Sequence, residues 1–448
     1  MNNISVDFSN ILGKIKPLHG VCCAPYTISY GPNQYNIDKY FKQAHIPYCR
    51  LHDCCGTYGG AYFVDVPNIF RDFSADENDP ASYDFHYTDE YIKAIQDTGC
   101  ETYYRLGVTI EWGSKKYTSV VPADFDKWAR ICEHIIMHYN QGWADGFHYN
   151  LKYWEIWNEP ENPGNVNGPS QWAGTKEEFY DLYKVASKYL KSKFPEILVG
   201  GYGSCGFYPI TRDNVPKSFH SFLTFFTDFL EMAKKEDCPV DFFSWHIYTC
   251  DENEVYAHAK YVRETLDSYG FTNTESHLNE WNIGDEGHGF LRKHTMEGGS
   301  FNIAVMSLFQ NCNYLDKAMY YCFSAKGGYN GFLDQNDSSI DAPWYTFVGF
   351  GELYDLGDNV KLENNGKRLY GIAAKNDEKG AIILSNYKSE DSEITLKISG
   401  IKDGSKITSE LLKDKQGFLP AFEKTVNNGE EFKIILDQHQ VMMLRITF

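Results

Sequence analysis

Between residues 18 and 323 short runs of branched and aromatic residues alternate with longer stretches whose apolar positions fall three and four apart. Compact apolar runs bounded by turn-formers predict strands; the three-and-four spacing predicts helices with one buried face. Eight strands are predicted: 18–21, 48–51, 102–106, the run through Trp154, 197–200, 241–246, 276–282 and 318–323. The predicted helices lie near 38–45, from Thr88 to Gly99, and from Asp124 with Phe125, Trp128, Ile131, Ile135 and Tyr139 on one face. Others run from a Thr175/Glu178 capping box to about 193, over 219–235, over 254–269 up to Gly270, and over 299–313 and 345–356. Strand and helix alternating eight times predicts an α/β fold, a (β/α)8 TIM barrel.

After residue 359 the pattern changes to a period of two. Residues 368–375, 381–387, 393–399, 431–436 and 440–447 alternate apolar and polar positions between Asn, Asp, Gly and Lys turns. This predicts a C-terminal antiparallel β-sandwich. The expected division is 1–16 as a segment able to pair with that sandwich, 17–358 as the barrel, and 359–448 as the sandwich domain. The stretch from 52 to about 87, rich in Asp, Asn, Pro and Gly, is too long for a plain connection.

Composition narrows the partners. With 61 acidic against 42 basic side chains, the formal net charge of −19 disfavours nucleic acid and anionic membrane surfaces. No segment approaches the roughly 18 uninterrupted apolar residues that a membrane span needs. The opening residues show no basic region followed by an apolar run, and twelve cysteines then point to reduced thiols, so a cytoplasmic location is expected. The 30 Phe, 33 Tyr and 9 Trp exceed what one core consumes, which leaves candidates for stacking against sugar rings.

Two stretches carry the chemistry. Tyr153-Trp154-Glu155-Ile156-Trp157-Asn158-Glu159-Pro160 reads as a buried strand that must open into a loop at Pro160, which has no N–H for the ladder. Ser276-His277-Leu278-Asn279-Glu280-Trp281-Asn282 has the same character. Barrels keep their chemistry at the C-terminal ends of strands. Two glutamates there, each preceded by Asn, suit retaining glycoside hydrolysis, in which one carboxyl is a protonated acid and the other an ionised nucleophile.

These motifs, together with Trp245-His246-Ile247-Tyr248, resemble the clan A retaining glycosidases, and among them glycoside hydrolase family 39, known for β-xylosidases and α-L-iduronidases. The resemblance spans roughly residues 17–356. It implies a retaining exo-β-glycosidase of β-xylosidase type acting on plant-type oligosaccharides, with a glycoside substrate, no cofactor and no metal. It assigns Glu159 as acid/base and Glu280 as nucleophile. Asn158 would bind the sugar 2-hydroxyl, Tyr248 would hydrogen-bond the nucleophile, and Arg50 would lie beneath the site. The loop opening Arg50-Leu51-His52-Asp53-Cys54-Cys55-Gly56 departs from the β-xylosidase pattern, so the sugar stays open. An α-L-arabinofuranosidase or another pentose- or galactose-releasing enzyme of the clan is the alternative; a transglycosidase or a non-catalytic carbohydrate-binding barrel is the second.

Further candidates have a plainer reading beside the functional one. His52 and His246 are sugar contacts or core histidines; Trp112, Trp281 and Trp344 are stacking platforms or packing. Asp334 and Glu111 are hydroxyl ligands or solvated loop carboxylates. Cys22, Cys23, Cys49, Cys54 and Cys55 gather with His52 near strands one and two, but their spacing matches no standard zinc motif, and packing is the expectation. Burial and the nearby anion Glu280 are expected to raise the pKa of Glu159.

Overall fold

The computed structural model describes residues 2–23, 28–30, 33–35, 38–52, 54, 63–111, 113, 115–162, 171–284, 291–323, 332 and 339–448. Eight parallel strands close into a barrel: β1 (Gly20–Cys22), β2 (Tyr48–Leu51), β3 (Glu101–Leu106), β4 (Tyr153–Ile156), β5 (Leu198–Ser204), β6 (Phe242–Thr249), β7 (Glu275–Ile283) and β8 (Lys317–Tyr320). Each predicted strand coincides with one of these within a few residues. The helices wrap outside, and their ends follow local chemistry. Asp124 accepts from the backbone of Lys127 at the start of Phe125–Gln141; Thr175 and Glu178 form the capping box of Lys176–Lys193; Gly270 ends Glu252–Tyr269 in the left-handed conformation. The stretch after β2 holds a short helix at Val66–Ile69 and a 3-10 turn at Pro80–Ser82.

Because side chains alternate along a strand, every second residue enters the barrel, and the interior fills in layers. The bottom layer is aromatic. Tyr103 stacks on Tyr153 at 5.4 Å, His277 stacks on Phe242 at 4.9 Å, and Tyr48 meets Tyr153 edge-on. One step up the same strands come Arg50, Glu155 and Ser244. One step further come His52 and His246, then Tyr248. The interior is therefore aromatic at its base and charged at its top, which is where the strand ends open.

The second unit is a nine-stranded sheet in the order β14 (Gly417–Val426), β13 (Ser405–Lys413), β16 (Val441–Thr447), β11 (Lys379–Asn386), β10 (Leu369–Lys375), β9 (Asp358–Asn364), the N-terminal strand Asn2–Lys14, β12 (Glu393–Ser399) and β15 (Glu431–Ile435). It curls around its own core of Ile4, Val6, Phe8, Leu384, Ile394, Leu396 and Leu444, giving the sandwich. The sheet is not wholly antiparallel, as the sequence reading expected. The N-terminal strand pairs antiparallel with β9 but parallel with β12, since a strand inserted from a distant part of the chain is not bound by hairpin geometry. The outer face of the sheet, through Ile383 on β11 and Met443 on β16, joins the barrel core beneath the helix Ala342–Leu356. Arg445 on β16 bridges Glu352 of that helix at 2.6 Å. Among the described residues no helix is long and apolar enough to cross a membrane.

Candidate active site

Two backbone irregularities bring the glutamates together. On β7, Leu278 pairs with Trp245 and Glu280 with His246, so Asn279 is an extra residue, a β-bulge. Strict alternation would send one of two neighbours outward. The bulge lets both enter: Asn279 Nδ2 donates to Glu155 at 2.6 Å, and Glu280 meets Arg50. At the end of β4, Trp157 (φ 72°) and Glu159 (φ 45°) adopt the left-handed conformation, uncommon for such residues. The turn is held by Trp157 N–H to the Leu106 carbonyl (2.7 Å) and by Glu159 N–H to the carbonyls of Tyr202 and Gly203 (3.1 and 3.0 Å). Asn158 and Glu159 thus both point over the barrel mouth. Gly203 lies against them, and a Cβ there would stand 3.0–3.2 Å from Asn158 Oδ1, Arg50 Nη2 and His246 Nε2. Its φ of +62° also favours glycine.

Arg50, fully buried, is the hub. Its Nε donates to Glu155 Oε2 at 2.7 Å, its Nη1 to Glu280 Oε1 at 2.7 Å, and its Nη2 to Asn158 Oδ1. Tyr248 Oη donates to Glu280 Oε2 at 2.7 Å, so both Glu280 oxygens are fixed. Glu159 is fixed as firmly. His246 Nδ1 lies 2.7 Å from its Oε1, and Gln171 Nε2 and Asn162 Nδ2 donate to its Oε2 at 2.9 and 3.0 Å. Gln171 Oε1 in turn accepts from Asn158 Nδ2 at 2.9 Å. One ligand atom each of Glu159, His246 and Glu280 lie within 4.8 Å of one another, so a carboxylate oxygen of either glutamate is that close to the other.

The electrostatics differ from the sequence expectation in one respect. Burial does push the Glu159 carboxyl up, but the hydrogen bond and charge of His246, with Asn162 and Cys205, outweigh it and hold the group below its ordinary value. His246 moves the opposite way. Burial lowers it, yet Glu280, and then Glu159, more than compensate and raise it. The expectation of a raised Glu159 treated burial and Glu280 alone and missed the imidazole inserted between the two carboxylates. His52, whose Nε2 is 3.8 Å from Glu280 Oε1, is held well below the ordinary imidazole value by burial and the charges of Arg50 and Arg105, so it is neutral. Beside the site, burial pushes Glu161 up to about 7, and its Oε1 accepts from Ser204 Oγ and Cys205 N–H at 2.7 and 2.8 Å.

Of the candidates, Glu159, Glu280, Asn158, Arg50, His52, His246 and Tyr248 converge here. Trp281 and Trp344 do not. Once Glu280 points inward, Trp281 points outward, where it packs on Tyr320 and Phe301. Trp344 sits in an aromatic cluster with Phe323, Phe332 and Phe347 under the helix it begins. Both are fully buried packing residues, correcting the stacking reading. Glu111 staples a loop by accepting from the backbone of Tyr117, Thr118 and Ser119. Trp112, Asp53, Cys55 and Asp334 lie outside the described residues. Cys22, Cys23, Cys49 and Cys54 are buried, and the one group of three possible metal-ligating side chains among the described residues is Glu159, His246 and Glu280. Glu155, Gln171, Asn162, Ser244 and Asn279 were not assigned from sequence. A lone carboxylate at the inward phase of the otherwise apolar strand β4 was the available signal for Glu155.

A β-xylosidase from Geobacillus stearothermophilus is 25% identical over 202 residues, 43% of this chain and 36% of that protein. A β-xylosidase from Caldicellulosiruptor saccharolyticus is 24% identical over 261 residues, 55% of this chain and 46% of that protein. The matches thus span less than half the length of either relative. The crystal structure of a glucosidase from Croceicoccus marinus superposes with a TM-score of 0.80 at 21% identity, covering 100% of this chain and 99% of that one, a likeness of fold. The model of glycosyl hydrolases family 39 matches residues 3–280, more than half of the chain and a span that holds both Glu159 and Glu280, and the chain belongs to that family.

Proposed function

We propose that this protein is a retaining glycoside hydrolase of β-xylosidase type that works by double displacement. The observation that carries the reading is the closeness of the two carboxylates, with oxygens within 4.8 Å. Retaining enzymes hold the pair about 5–5.5 Å apart, whereas inverting enzymes need roughly 6.5–9.5 Å to admit a water. The β-xylosidase type rests on the two relatives that bear that name.

In the first step Glu280, oriented by Arg50 and Tyr248, attacks the anomeric carbon from below. The leaving oxygen takes a proton from Glu159. In the free site the lowered carboxyl and the raised imidazole favour His246 as the holder of the proton they share, and the 2.7 Å bond to Glu159 Oε1 is the path by which it reaches the carboxyl when the bound glycoside closes off solvent. In the second step Glu159, an anion again, takes a proton from water, which attacks the glycosyl-enzyme. Its depressed pKa suits this second role, and His246 supplies the first. Asn158, held by Arg50 and Gln171, presents its amide to the 2-hydroxyl of the sugar.

A panel of aryl glycosides with proton NMR of the first-formed product tests this. The expected result is hydrolysis of an aryl β-xyloside with β-xylose formed first, and a 2-fluoro-xylosyl mass adduct on the peptide that contains Glu280. Formation of α-xylose first, or an adduct elsewhere, would refute the assignment. Added alcohol or sugar acceptors in the same assay distinguish transfer from hydrolysis.

A further inference from the structure

We propose that Glu155, which lies a layer below the sugar and cannot touch it, is a positioning residue that balances the charge of Arg50 when the nucleophile loses its own. The inference rests on the retaining reading above. Arg50 is buried without exposure and holds two carboxylates, Glu155 on Nε and Glu280 on Nη1, each at 2.7 Å. Glu155 is equally buried, and its second oxygen is occupied by Ser244 Oγ and Asn279 Nδ2, both at 2.6 Å. Ser244 Oγ also accepts from Gly203 N–H at 2.8 Å. The carboxylate is thus pinned to strands β2, β6 and β7 at once, and the bulge at Asn279 that aims Glu280 is tied to it.

Charge accounting gives this arrangement its use. In the free enzyme Arg50 carries one positive charge between two negative ones. In glycosylation an oxygen of Glu280 bonds to the anomeric carbon, the bond to the leaving oxygen breaks, and the proton on Glu159 goes to that oxygen. Glu280 is then a neutral ester. Were it the sole partner of Arg50, the step would strand a guanidinium in a site closed to water, where an unpaired charge is strongly unfavourable. With Glu155 present the pair Arg50–Glu155 is neutral in the intermediate. Glu155 also shares the guanidinium in the free enzyme, which keeps Glu280 from being over-stabilised before attack. Both effects favour forming the glycosyl-enzyme, and neither favours breaking it.

Glu155→Gln tests the charge and nearly preserves the shape. Its amide oxygen can accept from Arg50, while its amide nitrogen can meet Ser244 Oγ and the Asn279 Oδ1, which has no partner among the described residues, after an amide flip. On dinitrophenyl β-xyloside, kcat/KM, which reads glycosylation, should fall about 10²-fold. Hydrolysis of the isolated 2-fluoro-xylosyl-enzyme should be as fast as in the wild type or faster, and any pre-steady-state burst should vanish. Equal loss in both steps, or accumulation of the glycosyl-enzyme, would overturn the proposal. A second readout needs no substrate. Either Glu155→Gln or Glu280→Gln alone leaves Arg50 one carboxylate, but the double variant leaves none, so its loss in Tm should exceed the sum of the single losses. Additive losses would overturn the shared-charge reading. A wild type that neither turns over aryl glycosides nor takes the 2-fluoro label on Glu280 would instead fail the glycosidase reading, while the Tm cycle still decides the role of Glu155.

Discussion

Glu159→Ala separates the two steps. The substitution must be Ala and not Gln, because three groups converge on this carboxylate. His246 Nδ1, Gln171 Nε2 and Asn162 Nδ2 lie 2.7, 2.9 and 3.0 Å from its oxygens, and an amide nitrogen in place of one oxygen would confront a donor with a donor. Truncation leaves those groups facing a small space that cleft water can enter, at about 1 kcal/mol for each lost bond, roughly 3 kcal/mol of stability in all. A positioned general acid contributes roughly 10²–10⁴-fold, or about 2.7–5.5 kcal/mol of barrier. On a xylo-disaccharide, whose leaving group must be protonated, the whole of that factor should be lost from kcat/KM. On a dinitrophenyl xyloside, whose leaving group departs as an anion, kcat/KM should hold within about tenfold, and kcat should collapse because water has lost its base. The assay is kcat/KM across aryl xylosides of graded leaving-group acidity, with mass spectrometry of quenched samples. The slope should steepen in the variant, and one pentose should accumulate on Glu280. A uniform fall across the series with no adduct would refute the acid/base role and the retaining reading of the close carboxylate pair.

Glu280→Ala should abolish turnover, and azide should restore it with an inverted glycosyl azide as product, detected by NMR; full activity without azide would remove Glu280 from the mechanism. His246→Ala removes the group that holds Glu159 below its ordinary value, so burial is left to raise it. In the wild type the basic limb of the kcat/KM profile reports the proton shared with His246, an imidazole held above its ordinary value. In the variant it reports the carboxyl alone, which starts about two units lower, so the limb should move downward; an unmoved limb would show that the two do not share a proton. Dialysis against EDTA should leave activity unchanged, since carboxylates suffice for the chemistry; loss recovered by zinc would bring Cys22, Cys23 and Cys54 back into consideration.

The strand tips were legible because Pro160 and the Asn-Glu pairs mark them, and the barrel because its runs alternate so regularly. What alternation could not give was local breakage. A strand read from sequence places Asn279 and Glu280 on opposite faces; only the bulge, fixed by pairing with β6, puts both inside. The left-handed Trp157 and Glu159 are likewise set by carbonyls of β3 and β5, far off in sequence. Trp281 was misread because the motif was taken as a cluster instead of being followed through its period. Two sandwich strands, Ser405–Lys413 and Gly417–Val426, were missed since the second carries Pro420, which argues against a strand unless it lies at an edge. It does lie there, and a register irregularity occurs between Ser409 and Glu410, where Pro420 pairs.

The N-terminal strand imposes an order on assembly. Its neighbours are made much later: Asn3 bonds to Asn365, 362 positions later, and the Val6 carbonyl to Ser399, 393 positions later. At roughly 5–20 residues per second a ribosome needs on the order of 20–80 s to deliver them. Throughout that interval Ile4, Val6 and Phe8, fully covered in the finished molecule, have no sheet to enter. The barrel has its strands before the sandwich exists, so a strand made ahead of the barrel is placed after it. A nascent chain stalled or cut short after β8 would carry all eight barrel strands together with an uncapped apolar ribbon that can add to the sheet of another copy. The yield of this protein in a cell should therefore depend on how fast residues 359–448 follow the barrel.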